Sequence, residues 1–231
     1  MIELHAICRT FRVGDSEVNA LRDVTLTIGR GEYITVMGPS GSGKSTLLNV
    51  LGLLDRPDRG EYLLDGIATS VLGEEARARL RRDHIGFVFQ SYHLVPRLSA
   101  RENIELPLLL AGIPVRERRV AVDAVLERLG LGDRAHHQPG QLSGGQRQRV
   151  AIGRSIVMKP ELLLADEPTG NLDTRSGAEV VALLEELNHD GITLMVVTHD
   201  LALGKRARRL LGMCDGAISS DIVAGTIDAH A

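Results

Sequence analysis

The stretch "GPSGSGKST", residues 38–46, fits the pattern G-x-x-x-x-G-K-[ST] at every position. Glycine has no Cβ, so successive backbone N–H groups can curl around a phosphate without clash. On this reading Gly38, Ser40, Gly41, Ser42, Gly43 and Thr46 shape a cradle for the phosphates of a nucleotide. Lys44 is expected to reach its β- and γ-phosphates, and the Ser45 hydroxyl to ligate Mg²⁺. The run before the loop, "EYITVMG", is short and rich in β-formers, and the run after it, "STLLNVLGLL", has helical spacing. A loop placed between strand and helix turns the positive end of the helix on the phosphates. That context separates it from a chance glycine-rich turn.

A phosphate cradle needs a second element to hold the metal and prepare a water. "LLLADE", residues 162–167, is an apolar strand that delivers Asp166 and Glu167 at its C-terminal end, where open α/β sheets bind ligands. Asp166 suits an indirect hold on Mg²⁺, and Glu167 a base for the attacking water. An acidic pair that merely caps a strand is the plainer alternative, and the upstream loop argues against it.

The remaining chain alternates strand and helix patterns. "EVNALRDVTLTI" alternates apolar and polar residues as a half-buried strand does, and "GEYLLDG" reads as a short strand in a hairpin. "IGFVFQ" is a strand ending at Gln90. Residues 91–158 change character to helix. "SARENIEL" has Ser99 as N-cap with Glu102 three residues on, and "GGQRQRVAIGRSIVM" follows as a further helix. Between them, "VRERRVAVDAVLERLGL" is expected to present Val120, Ala124, Val125, Arg128 and Leu129 on one face. Strand–helix alternation then resumes with "RSGAEVVALLEELNH" and "ITLMVVTH", and a hairpin is expected around Asp215-Gly216. Ala224–Ala231 reads as a loose tail.

Composition sets limits on partners. The chain has 231 residues, a net charge of −3, three Tyr, three Phe and no Trp. Neither a basic surface for nucleic acid nor an aromatic platform for single strands is indicated. The basic runs at 76–84 and 204–209 read as solvated or partner-facing helix surface. "MIELHAICRTF" has no charged stretch followed by an apolar run, so no secretory leader is expected there. No run approaches the roughly 18 apolar residues of a membrane span. Cys8 and Cys214 match no metal or redox spacing and read as small apolar residues. His136 and His137 lack a second ligand pair and read as loop residues. Tyr33, before the cradle, reads as core.

The cradle covers one face of a nucleotide, and no arginine announces itself as a finger for the other. The chain carries instead "LSGGQ", residues 142–146, directly before a helix. Ser143 is a good N-cap, Gly144 and Gly145 allow close backbone approach, and a helix N-terminus attracts anions. Physics alone favours a simple well-capped helix.

The order of these motifs resembles that of the ATP-binding subunits of ABC transporters over nearly the whole chain: Walker A at 38–46, Gln90 as Q-loop, "LSGGQ" as signature at 142–146, Walker B at 162–167, "NLD" at 171–173 as D-loop, and His199 as switch histidine. The resemblance implies one α/β ATPase domain over 1–231. Its P-loop NTPase (RecA-like) core with an N-terminal antiparallel β subdomain would span 1–90 and 159–231, and its helical insert 91–158. It implies that Ser143, Gly144, Gly145 and Gln146 of one copy close over the ATP of another, in a head-to-tail homodimer. It further implies that Gln90 touches Mg²⁺ or the water, that His199 meets the γ-phosphate, that Asp173 sits near the dimer seam, and that Phe11 faces adenine.

Within that family, "FQSYHLVPRLSA", "ENIELPLLLAGI" and "ADEPTGNLD" look like the branch of lipoprotein-release and macrolide-exporter ATPases. The tail "HDLALGKRARRLLGMCDG" matches more loosely, with a usual acid replaced. The expectation is an ATPase on the cytoplasmic face of the inner membrane, powering a separate permease after the segment following Gln90 docks on it. The alternative is a regulatory ATPase of the same fold that signals to cell-wall enzymes through a membrane partner.

Overall fold

A computed structural model of the chain describes residues 1–14 and 16–223; the expected loose tail at 224–231 lies outside the described residues. Two sheets and a layer of helices make up the fold. The antiparallel sheet, in order β2-β1-β4-β5, is built from β1 (Ile2–Val13), β2 (Ser16–Ile28), β4 (Arg59–Leu64) and β5 (Ile67–Ala68). The second sheet runs β10-β9-β3-β8-β7-β6. Its parallel strands are β3 (Tyr33–Met37), β6 (Ile85–Phe89), β7 (Leu162–Asp166), β8 (Thr193–Val197) and β9 (Arg209–Cys214). β10 (Ala217–Val223) returns antiparallel. The expected hairpin is present: Asp215 and Gly216 both take positive φ, 48° and 80°, as a tight turn matched to strand twist requires.

The parallel strands are continuous apolar runs because both faces are covered. Side chains alternate between two cores. Leu163, Ala165, Leu194 and Val196 face one cluster, packed by α3 (Ala100–Leu110), α4 (Val115–Arg128), α5 (Gly144–Ile156) and α6 (Thr174–His189). Leu162, Leu164, Met195 and Val197 face the other, formed by α1 (Lys44–Leu51) and the antiparallel sheet. Tyr33 is core as expected, but its hydroxyl is buried without a partner, and burial pushes its pKa up to about 12.

The Ser99 capping box forms in full: Glu102 N–H donates to the Ser99 hydroxyl, and the Glu102 carboxylate accepts from Ser99 N–H. Val120, Ala124, Val125 and Arg128 share a face of α4 as expected, whereas Leu129 lies in the core. Val120 is 68% exposed, and the residues driven into the core are Val122 and Leu126, followed by Leu129. Val120, Ala124, Val125 and Arg128 instead line an open groove of about 990 Å³ shared with Ile156 and Leu187. With apolar residues at 120–122 and 124–126, period alone admits two faces, and packing against α3 selects one.

The basic runs spend much of their charge inside the chain. Arg77 of α2 (Glu74–His84) is buried and donates to the carbonyl of Leu53, while Arg206 pairs with Glu185 and Arg209 with Asp221 and Glu32. Cys8 is buried with its thiol on Asp23, whereas Cys214 is exposed and so does not fit the apolar reading. His137 lies beside Arg134 in a loop.

Candidate functional site

The strand register draws the site onto one line. Val36 pairs with Val197, Val197 with Asp166, and Asp166 with Phe89. The residues that follow these strand ends are therefore side by side at the carboxyl edge of the sheet: the 38–46 loop, Thr198 and His199, Glu167, and Gln90. This edge is where an open parallel sheet binds its ligand.

The loop is held from outside. Gly216 N–H donates to the Ser42 carbonyl, and Arg22 N–H donates to the Gly216 carbonyl, so β2 and the β9–β10 turn brace it. Gly43 takes φ 98°, and a Cβ there would lie 2.3 Å from the Ala20 carbonyl oxygen, so only glycine fits. Gly43 is also the N-cap of α1 and offers no side-chain cap, unlike Ser99, Ser143 and Asp173 on α3, α5 and α6. The first-turn N–H groups of α1, including those of Ser45 and Thr46, are thus left for an anion. The Lys44 ammonium folds back over the loop and donates to the carbonyls of Gly38 (2.9 Å) and Pro39 (2.7 Å). Ser40 and Gly41 are exposed at the loop crest, and Ser42 is buried beneath it.

Across from the loop stand three polar groups. The Ser45 hydroxyl donates to Asp166 at 3.4 Å, which brings two hard oxygen donors together. Burial, and then the neighbouring charge of Glu167, raise the pKa of Asp166; the Ser45 bond and Lys44 oppose the rise. Adjacent carboxylates in that state favour a cation, and the oxygen donors suit Mg²⁺. Glu167 has φ 45°, a strained value for a non-glycine residue, and its N–H is pinned to the Val197 carbonyl at 2.9 Å. Its carboxylate accepts from the Thr198 hydroxyl at 3.1 Å and lies 2.7 Å from His199 Nδ1. The hydrogen bond to Glu167, then its charge, raise the pKa of His199. Glu167 is a sheltered carboxylate aimed by two partners and able to take a proton from water.

Other expected residues take partners within the chain. Among the described residues Gln90 makes no hydrogen bond to Ser45 or Asp166; its side-chain amide donates to Asn171 Oδ1 at 3.4 Å. Asn171 reaches back to the Gln90 carbonyl at 3.0 Å, so the amide has a partner of its own kind. Ser143 and Gln146 form a capping box with each other, and none of their hydrogen bonds joins the 38–46 loop. Gly144 and Gly145 pack instead against Leu172 and Ser176. Asp173 caps α6, accepting from Ser176 N–H at 2.9 Å. Phe11 is 37% exposed on β1, with the Arg9 guanidinium 4.5 Å from its ring centre.

Three braces escaped sequence reasoning. Gln148 of α5 is fully buried and donates to the Pro168 carbonyl at 2.8 Å, tying α5 to the turn after Glu167. Arg154, also on α5, donates to the carbonyls of His93 (2.6 Å) and Tyr92 (2.9 Å). Tyr92 and His93 both have left-handed φ, 61° and 48°, and Arg154 holds them there. Asn171 is the third. The partners are 20, 61 or 62, and 81 residues apart, beyond any local pattern. A hint lay in buried-type positions of α5 occupied by Gln148 and Arg154, since polar groups there need partners.

A braced phosphate loop at an uncapped helix, with an aimed carboxylate on the next-but-one strand, defines a P-loop ATPase. Residues 21–170 match the family described as ABC transporter. The chain is 52% identical over 221 residues to a macrolide export ATP-binding/permease protein MacB of Sodalis glossinidius, covering 96% of this chain and 34% of that protein. The Escherichia coli protein of the same name is 49% identical with the same coverage. A dimeric structure of the ATP-binding cassette MJ0796 in a post-hydrolysis state, bound to ADP and Pi, superposes with a TM-score of 0.89 at 42% identity, covering 97% of this chain and 99% of that one. A second dimeric MJ0796 structure, titled a bacterial ABC transporter cassette, gives 0.89 at 43% identity with the same coverage. The chain belongs to the ABC transporter family, and is its ATP-binding, ATP-hydrolysing cassette. It spans about a third of the length of the macrolide-export relatives.

Proposed function

We propose that two copies of this chain sandwich two ATP molecules and that closure of the pair drives a membrane permease. One observation carries the reading: within one chain, Ser143 to Gln146 make no hydrogen bond to the phosphate loop, so the far face of the nucleotide is left for another copy. The dimeric MJ0796 cassettes, at 42–43% identity over 97% of this chain, support it. The chain acts as a single ATPase domain whose helical part, 91–158, presents the signature turn.

Each residue then has a task. The 38–46 loop and Lys44 bind the β- and γ-phosphates, and Phe11 takes the adenine. Ser45, Asp166 and, once free, Gln90 would hold Mg²⁺, which when bound offsets phosphate charge. Glu167 accepts the proton of the attacking water as its oxygen bonds to the γ-phosphorus and the bond to ADP breaks. His199 orients Glu167 and meets the γ-phosphate, and the partner's α5 N-terminus stabilises the developing charge through its N–H groups. No helix among the described residues is long and apolar enough to cross a membrane. On this reading the cassette works on the cytoplasmic face of the inner membrane, with the segment after Gln90 on the permease. The macrolide-export names of relatives near 50% identity favour export or handling of cargo outside the membrane.

Sedimentation of Glu167→Gln with Mg-ATP tests the sandwich. A dimer is expected that dissociates when nucleotide is removed, and Ser143→Arg in the same background should remain monomeric. Dimerisation of the Ser143→Arg chain would overturn the two-copy closure.

A further inference from the structure

Thr198 lies directly after β8, is fully buried, and is tied to both halves of the site. Its N–H donates to the Val36 carbonyl at 3.2 Å, on the strand that runs into the phosphate loop. Its hydroxyl donates to Glu167 Oε2 at 3.1 Å and accepts from Asp200 N–H at 3.1 Å. The direction of the hydroxyl hydrogen follows from these neighbours. A backbone N–H can only donate, so Asp200 takes a lone pair of Oγ1 and the hydrogen is left for the carboxylate. Asp200 is itself fixed, since its side chain caps α7 (Leu201–Gly204) and accepts from Ala202 N–H at 2.7 Å.

Glu167 needs such a hold. Its φ of 45° is a left-handed value at a residue followed by proline, where the backbone favours extended values. A conformation of that kind persists only where the surroundings fix it. Among the described residues the Glu167 carboxylate has two side-chain partners, and they differ in kind. The His199 side chain is 78% exposed and free to turn toward a ligand, whereas Thr198 is enclosed on every side.

We propose that Thr198 is the positioning residue that keeps the Glu167 carboxylate aimed while His199 turns to the γ-phosphate. This rests on the reading that Glu167 accepts the proton of the attacking water. With Oε2 held by the hydroxyl, the carboxylate resists rotation when His199 leaves Oε1, and Oε1 is then open to the water proton. Because the Thr198 backbone hangs on Val36, the base also keeps its distance from the phosphate loop. Loss of this aim is felt in the chemical step and not in ground-state binding of ATP.

The test separates the hydroxyl from the packing. Thr198→Val keeps the branched shape and removes the hydroxyl; Thr198→Ser keeps the hydroxyl and removes a buried methyl. Thr198→Val should lower kcat about ten- to a hundredfold, with KM and the affinity for a fluorescent ATP analogue within about twofold of wild type. Thr198→Ser should recover most of kcat while melting below wild type. In the Glu167→Gln chain, Thr198→Val should lower the residual rate no further. Thr198→Ala also lacks the hydroxyl and replaces Thr198→Val if circular dichroism shows that chain unfolded. A wild-type kcat without the hydroxyl, a loss confined to KM, a Thr198→Ser chain as slow as Thr198→Val, or a further fall in the Glu167→Gln chain would overturn the proposal while leaving Glu167 as proton acceptor. A Glu167→Gln chain that hydrolyses ATP at the wild-type rate removes the base, and the proposal with it.

Discussion

Gln148 gives the sharpest test of how the site is braced. It is fully buried, its Nε2 donates to the Pro168 carbonyl at 2.8 Å, and its Oε1 has no partner. Gln148→Ala leaves the Pro168 carbonyl orphaned, at about 1–3 kcal/mol. It also removes a buried methylene worth about 0.8 kcal/mol and opens a cavity. Against this, it relieves the unmet Oε1, a gain of similar size to one orphaned group. The net loss is about 2–3 kcal/mol, or about 4–12 °C in melting temperature for a chain of this size. Gln148→Met keeps the volume, so the orphaned carbonyl and the relieved oxygen nearly cancel and the loss is about 1 kcal/mol or less. Thermal unfolding by circular dichroism reads both. Because Pro168 follows Glu167, kcat should fall in both variants. Gln148→Met melting as low as Gln148→Ala would refute the cancellation, and wild-type melting of both would refute the brace.

Glu167→Gln should lower kcat by a factor of about 10²–10⁴, with melting close to wild type because Thr198 and His199 keep a partner. The same substitution should lower the His199 midpoint in a ring-proton NMR titration, since Glu167 is the main cause of its elevation. The sign is that of a raised pKa: the His199–Glu167 attraction stabilises the fold below the ordinary histidine value near 6.5 and is lost as pH rises through the higher folded value. Lys44→Ala should abolish tight binding of a fluorescent ATP analogue; unchanged affinity would remove the phosphate role. Asp173→Ala should lower the melting temperature through loss of the α6 cap, while Asp173→Asn, which can still accept from Ser176, should preserve it.

Much of this site was legible because its parts are local. The cradle is contiguous, Asp166 and Glu167 end a continuous apolar strand, and the capping boxes at Ser99 and Ser143 are short patterns with a direct hydrogen-bond reason. Asp173 was expected near a dimer seam and not as a cap, although a serine three residues on was a usable signal. The shared face of Val120, Ala124, Val125 and Arg128 was legible, but which apolar stripe of α4 enters the core was not, because Val120 and Val122 both fit one and only neighbouring helices decide between them. Gln90 was expected at Mg²⁺ or the water from the family resemblance; its bond to Asn171 depends on two loops meeting, which neither segment encodes alone.

Arg154 has a consequence for timing. Its guanidinium joins the helix that starts at the signature turn to the backbone of Tyr92 and His93, two residues past Gln90. Helix and segment are two ends of one lever. If closure proceeds as proposed, a tilt that seats Ser143 on a neighbouring copy would swing the 92–93 segment in the same stroke, without a relay between them. Probes at the two ends should therefore report a single relaxation time, and cutting the guanidinium link should split it in two.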